Sequence, residues 1–359
     1  MVHRRRIPTP YRNVILTADV GGTNLGVALI ENDHGSFRLL MRRRRNTASH
    51  KSIESAINEA IAEFRQEPAF EQPDLVCVSA AGPVKNGHVF LTNVGWTIDQ
   101  RHLTEALGIH SHVINDFQAV CYGLPLIDTN DSEQVHTLAH PDGTRPEPYG
   151  HMACALGAGT GLGQGFVVDM GGHYEAFPTE GGHVDYAAFD ERSNRLRDFL
   201  SDRLGTTPGR ELVISGQGIT NILAFALHTG SFGHSDEAQR IGSLPKTEQP
   251  AAVSSAASDG DKVCGDVIRL FVDSYARAAQ SSALHYIPHG GLFLAGGIAA
   301  KNLKFIEEHG RFMEGFRLNY QVATQAILSE IPVFVLKDYD ISLYGAAHAA
   351  ISKEEIRSI

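Results

Sequence analysis

A chain of 359 residues, 42% hydrophobic and 20% charged, is long enough for two domains or lobes and has the balance of an ordinary globular protein. A formal net charge of −10 argues against general nucleic-acid binding and against adhesion to anionic membrane surfaces. No run of about 18 apolar residues reads as a membrane span, and the basic N-terminus lacks the apolar segment of a secretory signal, so the expected location is the cytoplasm.

In chain order, residues 1–12 read as a basic, proline-bearing, disordered tail. Strands are predicted over 14–18, 26–31 and 37–41, a meander with one turn at 32–35. Arg42, Arg43, Arg44 and Arg45 read as a solvated loop, as His3 to Arg6 read as a solvated tail. Ile53, Ala56, Ile57, Ala60, Ile61 and Phe64 recur at the spacing of one helical face. Apolar strands follow at 75–79 and 88–91, completing one ribonuclease-H-like lobe. Residues 129–150 are polar and read as a loop with one short strand at 135–138. Strands return at 152–155 and 165–168, so the topology recurs without sequence repetition. Helices are predicted over 192–204 and 217–228, and short helices among exposed loops over 229–262. The apolar face Val267, Ile268, Phe271, Val272, Tyr275, Ala278, Ala279 and Ser282 marks a long helix. A last strand over 332–336 precedes a closing helix at 343–352.

Cys77, Cys121, Cys154 and Cys264 are widely spaced, and three sit in apolar segments, which suits buried thiols in a reducing compartment. No C-x-x-C pair occurs, so zinc held by cysteines is not expected.

Three strands run into glycine turns. The first is Asp19-Val20-Gly21-Gly22-Thr23-Asn24 after Val14-Ile15-Leu16. Glycines let backbone N–H groups approach phosphate oxygens, and a carboxylate at the strand end offers an oxygen to Mg²⁺ and its water shell. The second is Gly157-Ala158-Gly159-Thr160-Gly161-Leu162-Gly163. It runs from strand to strand, and Gln164 breaks the register that a dinucleotide fingerprint requires. The third is Ala295-Gly296-Gly297-Ile298. Three such turns describe a nucleotide gripped between two related halves.

Between them lie groups suited to a polyhydroxyl ligand. Asn115-Asp116 ends a short apolar strand, Glu180-Gly181-Gly182-His183-Val184-Asp185 sets a carboxylate and an imidazole on a glycine hinge, and Glu211 follows. Asn donates and accepts, carboxylates accept, imidazole does either, and one carboxylate must act as base toward an attacking hydroxyl. The plainer readings are an N-cap for Asp116, a core histidine or a two-ligand metal contact with Asp185 for His183, and a solvated strand-edge carboxylate for Glu211.

From Val14 to His348 the chain resembles the bacterial glucokinase family, hexokinase relatives in the actin, sugar-kinase and heat-shock ATPase superfamily. The resemblance rests on the three glycine turns, Ala81-Gly82-Pro83-Val84, Leu91-Thr92-Asn93 with Trp96, Ile114-Asn115-Asp116-Phe117, residues 180–185 and Ser215-Gly216. It implies two ribonuclease-H-like α/β lobes with a nucleotide and sugar cleft between them. The small lobe would be 13–120 plus 338–359, the large lobe 121–337. Asp116 would be the base for a sugar 6-hydroxyl, and Asn93, Asn115, Glu180, His183 and Glu211 would hold the sugar. Asp19, Val20, Gly21, Gly22, Thr23 and Asn24 would form the first phosphate loop, Gly157, Gly159, Thr160 and Gly161 the second, with Gly296 and Gly297 by the adenosine. Mg²⁺ would reach Asp19 through water.

Three positions depart from the family pattern. Gly26 replaces a usual Arg, Ser342-Leu343-Tyr344-Gly345 replaces Gly-Leu-x-Gly, and Thr179 replaces Gly. The cysteine-rich zinc loop of the related repressor-and-kinase group is missing. The expected function is ATP-dependent phosphorylation of a hexose, glucose foremost, with mannose or glucosamine as alternatives. A catalytically weak sugar sensor and a chaperone- or actin-like ATPase are the rivals from other classes. A homodimer remains open.

Overall fold

The computed structural model describes residues 4–7, 9, 11–21 and 24–357. The chain forms two compact units, Met1–Val135 with Gly165–Pro178 and Asp338–Ile359, and His136–Gln164 with Thr179–Lys337. The first unit therefore runs on past residue 120, where the sequence places a boundary, and takes in the segment 165–178 as well.

The first sheet has five strands, β1 (Arg12–Val20), β2 (Asn24–Asp33), β3 (Ser36–Asn46), β4 (Leu75–Ala80) and β7 (Ser111–Asn115), in the order β3-β2-β1-β4-β7. The first three are an antiparallel meander; β4 and β7 join in parallel. A hairpin of β5 (His88–Leu91) and β6 (Trp96–Asp99) stands apart from it. Leu16, Val27, Ile57, Phe64, Val78, Trp96 and Ile98 are buried in one core. Trp96 thus belongs to the core.

The second sheet has six strands, β8 (Val135–Leu138), β9 (Met152–Ala158), β10 (Leu162–Asp169), β11 (Tyr174–Thr179), β12 (Leu292–Ala295) and β13 (Val333–Leu336), in the order β11-β10-β9-β12-β13-β8. Its first five positions repeat the order of the first sheet. Helix Lys262–Tyr286, capped by Asp261, buries the apolar face read from the sequence, with Phe271 and Tyr275 fully enclosed. Leu156, Phe225, Leu294 and Val335 complete that core.

Helix Ile341–Arg357 closes the first unit against helix Asp116–Gly123, and two glycines set how close they come. A Cβ on Gly345 would lie 1.8 Å from the Ala119 carbonyl oxygen, and one on Gly123 would lie 2.6 Å from Ile341 Cγ1. Among the described residues, no helix is long and apolar enough to cross a membrane.

Two expectations are corrected. Arg42 to Arg45 lie in β3 rather than a loop, and Arg42, Arg43 and Arg45 pair with Asp340, Glu63, Glu67 and Glu59. Their charges are met across the sheet edge, so an extended, cation-rich strand is tolerated. Residues 4–7 of the tail are anchored by contacts rather than disordered. Arg4 pairs with Asp338 and lies over the Tyr344 ring, the Arg5 N–H donates to Leu126, and Ile7 is buried. The tail's first three residues, Pro8 and Pro10 lie outside the described residues.

Candidate active site

In the first unit, Asp19 is the penultimate residue of β1, paired in register with Gly26 on one side and Ser79 on the other. Ser79 Oγ donates to its Oδ1 at 3.2 Å and Ser342 Oγ to its Oδ2 at 2.9 Å. Burial raises the Asp19 carboxyl above its ordinary range, and the two hydroxyls work against that rise. Ser342 stands where the pattern of the resembled family has glycine, so the hydroxyl of this second donor comes with that departure. Its helix carries it to Asp19, and nothing local in the sequence announces the contact. At Gly26, the other departure, the open space ends at Leu343 Cδ2, 3.9 Å from an added Cβ.

The turn after Asp19 is tight. The Gly21 N–H donates to the Asn24 carbonyl at 2.9 Å, and Thr47 Oγ1 donates to the Gly21 carbonyl. The Gly21 N–H is therefore occupied within the turn. Val20 is buried and Asn24 exposed at the start of β2. Gly22 and Thr23 lie outside the described residues.

Asn115 ends β7 and is itself the helix cap: its Oδ1 accepts from the N–H groups of Phe117 and Gln118 at 2.9 and 3.0 Å. Its Nδ2 donates to the Gly82 carbonyl at 2.9 Å. Asp116, one residue on, is freed from the capping task. It occupies the first helical position, accepts from the Phe117 N–H at 2.8 Å and is half-buried. Burial pushes its carboxyl up to about 6, and the Asp19 charge adds to the rise. Asn93 is exposed on the turn between β5 and β6. With Gly21, Gly82, Phe90 and Thr92 it lines a pocket of about 160 Å³ inside the first unit.

In the second unit, Gly157, Gly159, Thr160 and Gly161 lie at and beyond the end of β9. Gly159 donates to the Gly161 carbonyl at 2.9 Å, and Gly216, the first residue of helix Gly216–Thr229, donates to the Gly159 carbonyl at 2.8 Å. Glu211 packs on this turn. Its Oε2 accepts from the Leu162 N–H at 2.8 Å, and a Cβ on Gly161 would lie 2.4 Å from that oxygen. The Gly161 position admits no side chain while Glu211 stays. At Gly296 the backbone is left-handed, with φ +84°, and an added Cβ would lie 2.3 Å from the Ala158 carbonyl oxygen. The second and third glycine turns are thereby held together; Gly297 opens the short helix Gly297–Lys301.

Glu180 and His183 bracket a short 3₁₀ turn, both side chains about two-thirds or more exposed and 3.6 Å apart between Oε2 and Nε2. The glycines between them are wedged onto the start of β10. A Cβ on Gly182 would lie 2.1 Å from the Leu162 carbonyl oxygen, and one on Gly181 would lie 2.2 Å from Gln164 Oε1. Thr179, the third departure, braces the hinge: its hydroxyl donates to the Gln164 carbonyl and accepts from the Gly181 N–H, each at 3.2 Å. Asp185 bridges to Gly209, which leads the chain to Glu211. Leu162 thus ties the 180–183 hinge, Glu211 and the second glycine turn into one assembly.

Two mixed sheets with one strand order, each with a carboxylate- or glycine-bearing turn at its strand ends, are the frame of a sugar kinase of the actin-like ATPase fold. A glucokinase crystal structure from an Antarctic psychrotroph is similar at a TM-score of 0.77 with 29% identity, covering 94% of this chain and 98% of that one. The family model for glucokinase matches residues 16–353. A glucokinase of Nostoc punctiforme is 32% identical over 94% of this chain and 98% of its own length. One of Synechocystis is 33% identical over 93% of this chain and 97% of its own. The chain belongs to the glucokinase family.

Proposed function

We propose that the protein transfers the γ-phosphoryl group of ATP to the 6-hydroxyl of glucose. The observation that carries this reading is Asp116. It is released from helix capping by Asn115, half-buried, and raised to about 6, where a carboxylate is both ionised near neutrality and basic enough to take a hydroxyl proton. The sugar hydroxyl attacks in line while Asp116 accepts its proton. Asn93, Asn115, Glu180, His183 and Glu211 supply donors and acceptors for the remaining hydroxyls.

Phosphoryl transfer asks the protein chiefly for positioning and charge stabilisation. The glycine turns at residues 157–161 and 296–297 are the proposed cradle for the nucleotide. Asp19 fits a magnesium-bound phosphate: its carboxylate is half-buried, oriented by two hydroxyls and lacks a cationic side chain as partner among the contacts described above. When bound, Mg²⁺ would neutralise charge on the transferring phosphates. The burial of all four cysteines, joined by no disulfide, supports a reducing, cytoplasmic location.

A coupled assay for ADP release, run with glucose, mannose, glucosamine and no sugar, tests the reading. Glucose-dependent release is expected; release that ignores every sugar would replace the kinase with an ATPase. In the same assay Glu180→Ala and His183→Ala should each raise the KM for sugar roughly tenfold, since an unpaired buried hydroxyl costs about 1–3 kcal/mol, with little change in the KM for ATP. An equal rise for both substrates would remove these residues from the sugar side.

A further inference from the structure

We propose that His110, His112 and Glu354 form a Zn²⁺ site that fastens the last helix of the chain to the first sheet. His112 is the second residue of β7 and His110 stands just before it, so the two, being two residues apart on an extended segment, share a face. Glu354 reaches them from the last turns of helix Ile341–Arg357. His112 Nε2 lies 2.9 Å, and His110 Nε2 3.1 Å, from Glu354 Oε1. The imidazole rings stand 4.9 Å apart and nearly perpendicular, at 89°. All three ligand atoms fall within 4.8 Å of one another.

Zinc bonds of 2.0–2.2 Å in a tetrahedron set their ligands roughly 3.3 Å apart, a spacing that the two imidazole–carboxylate distances of 3.1 and 2.9 Å approach. Two imidazole nitrogens and one carboxylate oxygen form a donor set for zinc rather than for magnesium or calcium, which favour oxygen throughout. His112 is buried, so a metal held there would be shielded from bulk water on that side. The neighbouring Lys353 charge opposes a cation, and the Glu354 carboxylate answers it. Side-chain exposures of 33% for His110 and 36% for Glu354 leave an approach from solvent.

The cluster lies at the opposite end of β7 from Asn115 and Asp116. The same helix begins beside Asp19, through Ser342. A metal here would act on the fold of the first unit, not on the reacting groups.

The test uses the full chain, stripped with chelator and kept free of sugar and ATP. Zn²⁺ is titrated against a chromophoric chelator, and Co²⁺ is used as a spectroscopic probe. Wild-type protein should take one zinc at this site, show the intense visible bands of tetrahedral cobalt, and unfold at a higher temperature with zinc than without. His110→Ala and Glu354→Gln change half-exposed side chains, should keep wild-type circular dichroism and basal turnover, and should weaken zinc roughly tenfold or more. Both should also lose the cobalt bands and the thermal response. Equal zinc affinity in all three proteins, or a wild-type unfolding midpoint indifferent to zinc, would overturn the proposal and leave a hydrogen-bonded imidazole–carboxylate contact.

Discussion

Asp116 carries opposed demands from its surroundings, and that opposition makes it testable. A carboxyl raised to about 6 binds its proton more tightly in the folded chain than in the unfolded one. The folded state is therefore stabilised as pH falls from above 6 toward the ordinary carboxyl range, and holding Asp116 ionised at pH 7 costs stability. Asp116→Asn should remove that cost and raise unfolding free energy at pH 7, by no more than about 3 kcal/mol, while turnover drops about 10²–10⁴-fold. In the wild type, kcat/KM for sugar should fall as pH drops through about 6. Urea titrations and a pH–rate profile check both; a mutant that is less stable and still active would remove Asp116 from the proposed role. Ser342 supplies a second residue-scale case. Its hydroxyl is one of two donors to Asp19, and a hydrogen bond to a charged group is worth about 1.5–3 kcal/mol. Ser342→Gly should lower kcat/KM for magnesium-ATP about tenfold and leave the KM for sugar near its wild-type value. Parallel losses in both would contradict a nucleotide-side role. The residue types at these positions could be read from the chain, and so could the adjacency of Asn115 and Asp116. Their division of labour, Asn115 capping with two helix N–H groups and Asp116 accepting from the Phe117 N–H alone, could not, because it is decided by how each side chain turns at the helix start.

At the scale of elements, close glycine contacts decide the packing more than apolar periodicity does. Gly345 meets the Ala119 carbonyl and the Gly123 N–H, and backbone cannot move aside as a flexible side chain can. Gly345→Ala should destabilise the protein by roughly 3 kcal/mol or more, seen as a lower urea midpoint with an unchanged slope. A midpoint close to wild type would mean that the two helices can separate freely. The elements that were legible were those with a strong period: helix Ile53–Phe64, helix Lys262–Tyr286 and the apolar strands β1, β4, β9 and β13. Helix Gln100–Leu107 was not, since it buries only Leu103 and its other side chains are polar or partly exposed. β6 escaped because four residues of a hairpin give too short an alternation to separate from a loop. β3 was cut short because four arginines in a row read as loop, and the acidic partners that neutralise them lie beyond the strand, in helix Ile53–Phe64, at Glu67 and at Asp340. The glycine hinge at 181–182 was visible as a motif, whereas its reason, contact with Leu162 and Gln164 of β10, is a tertiary fact.

For the whole molecule, the repeat of one strand order in two sheets was legible only as recurring strands, because the repeats share topology without sharing residues. Each unit has its own core, so each can in principle report on ligand separately. The proposed sugar set draws Asn93, Asn115 and Asp116 from the first unit and Glu180, His183 and Glu211 from the second. A ligand stabilises only what it binds: at a free concentration of 100 times Kd the gain is about 2.7 kcal/mol. For units of this size each kcal/mol is worth about 2–4 °C, so saturating glucose should raise the unfolding temperature by roughly 5–10 °C. If residues of both units hold the sugar, calorimetry should show every resolved transition moving upward with glucose. His183→Ala should reduce the shift in all of them, although it alters only the second unit. Should one transition stay fixed while the other climbs, a single unit holds the sugar. The residues assigned to the stationary unit would then have no part in the hexose site.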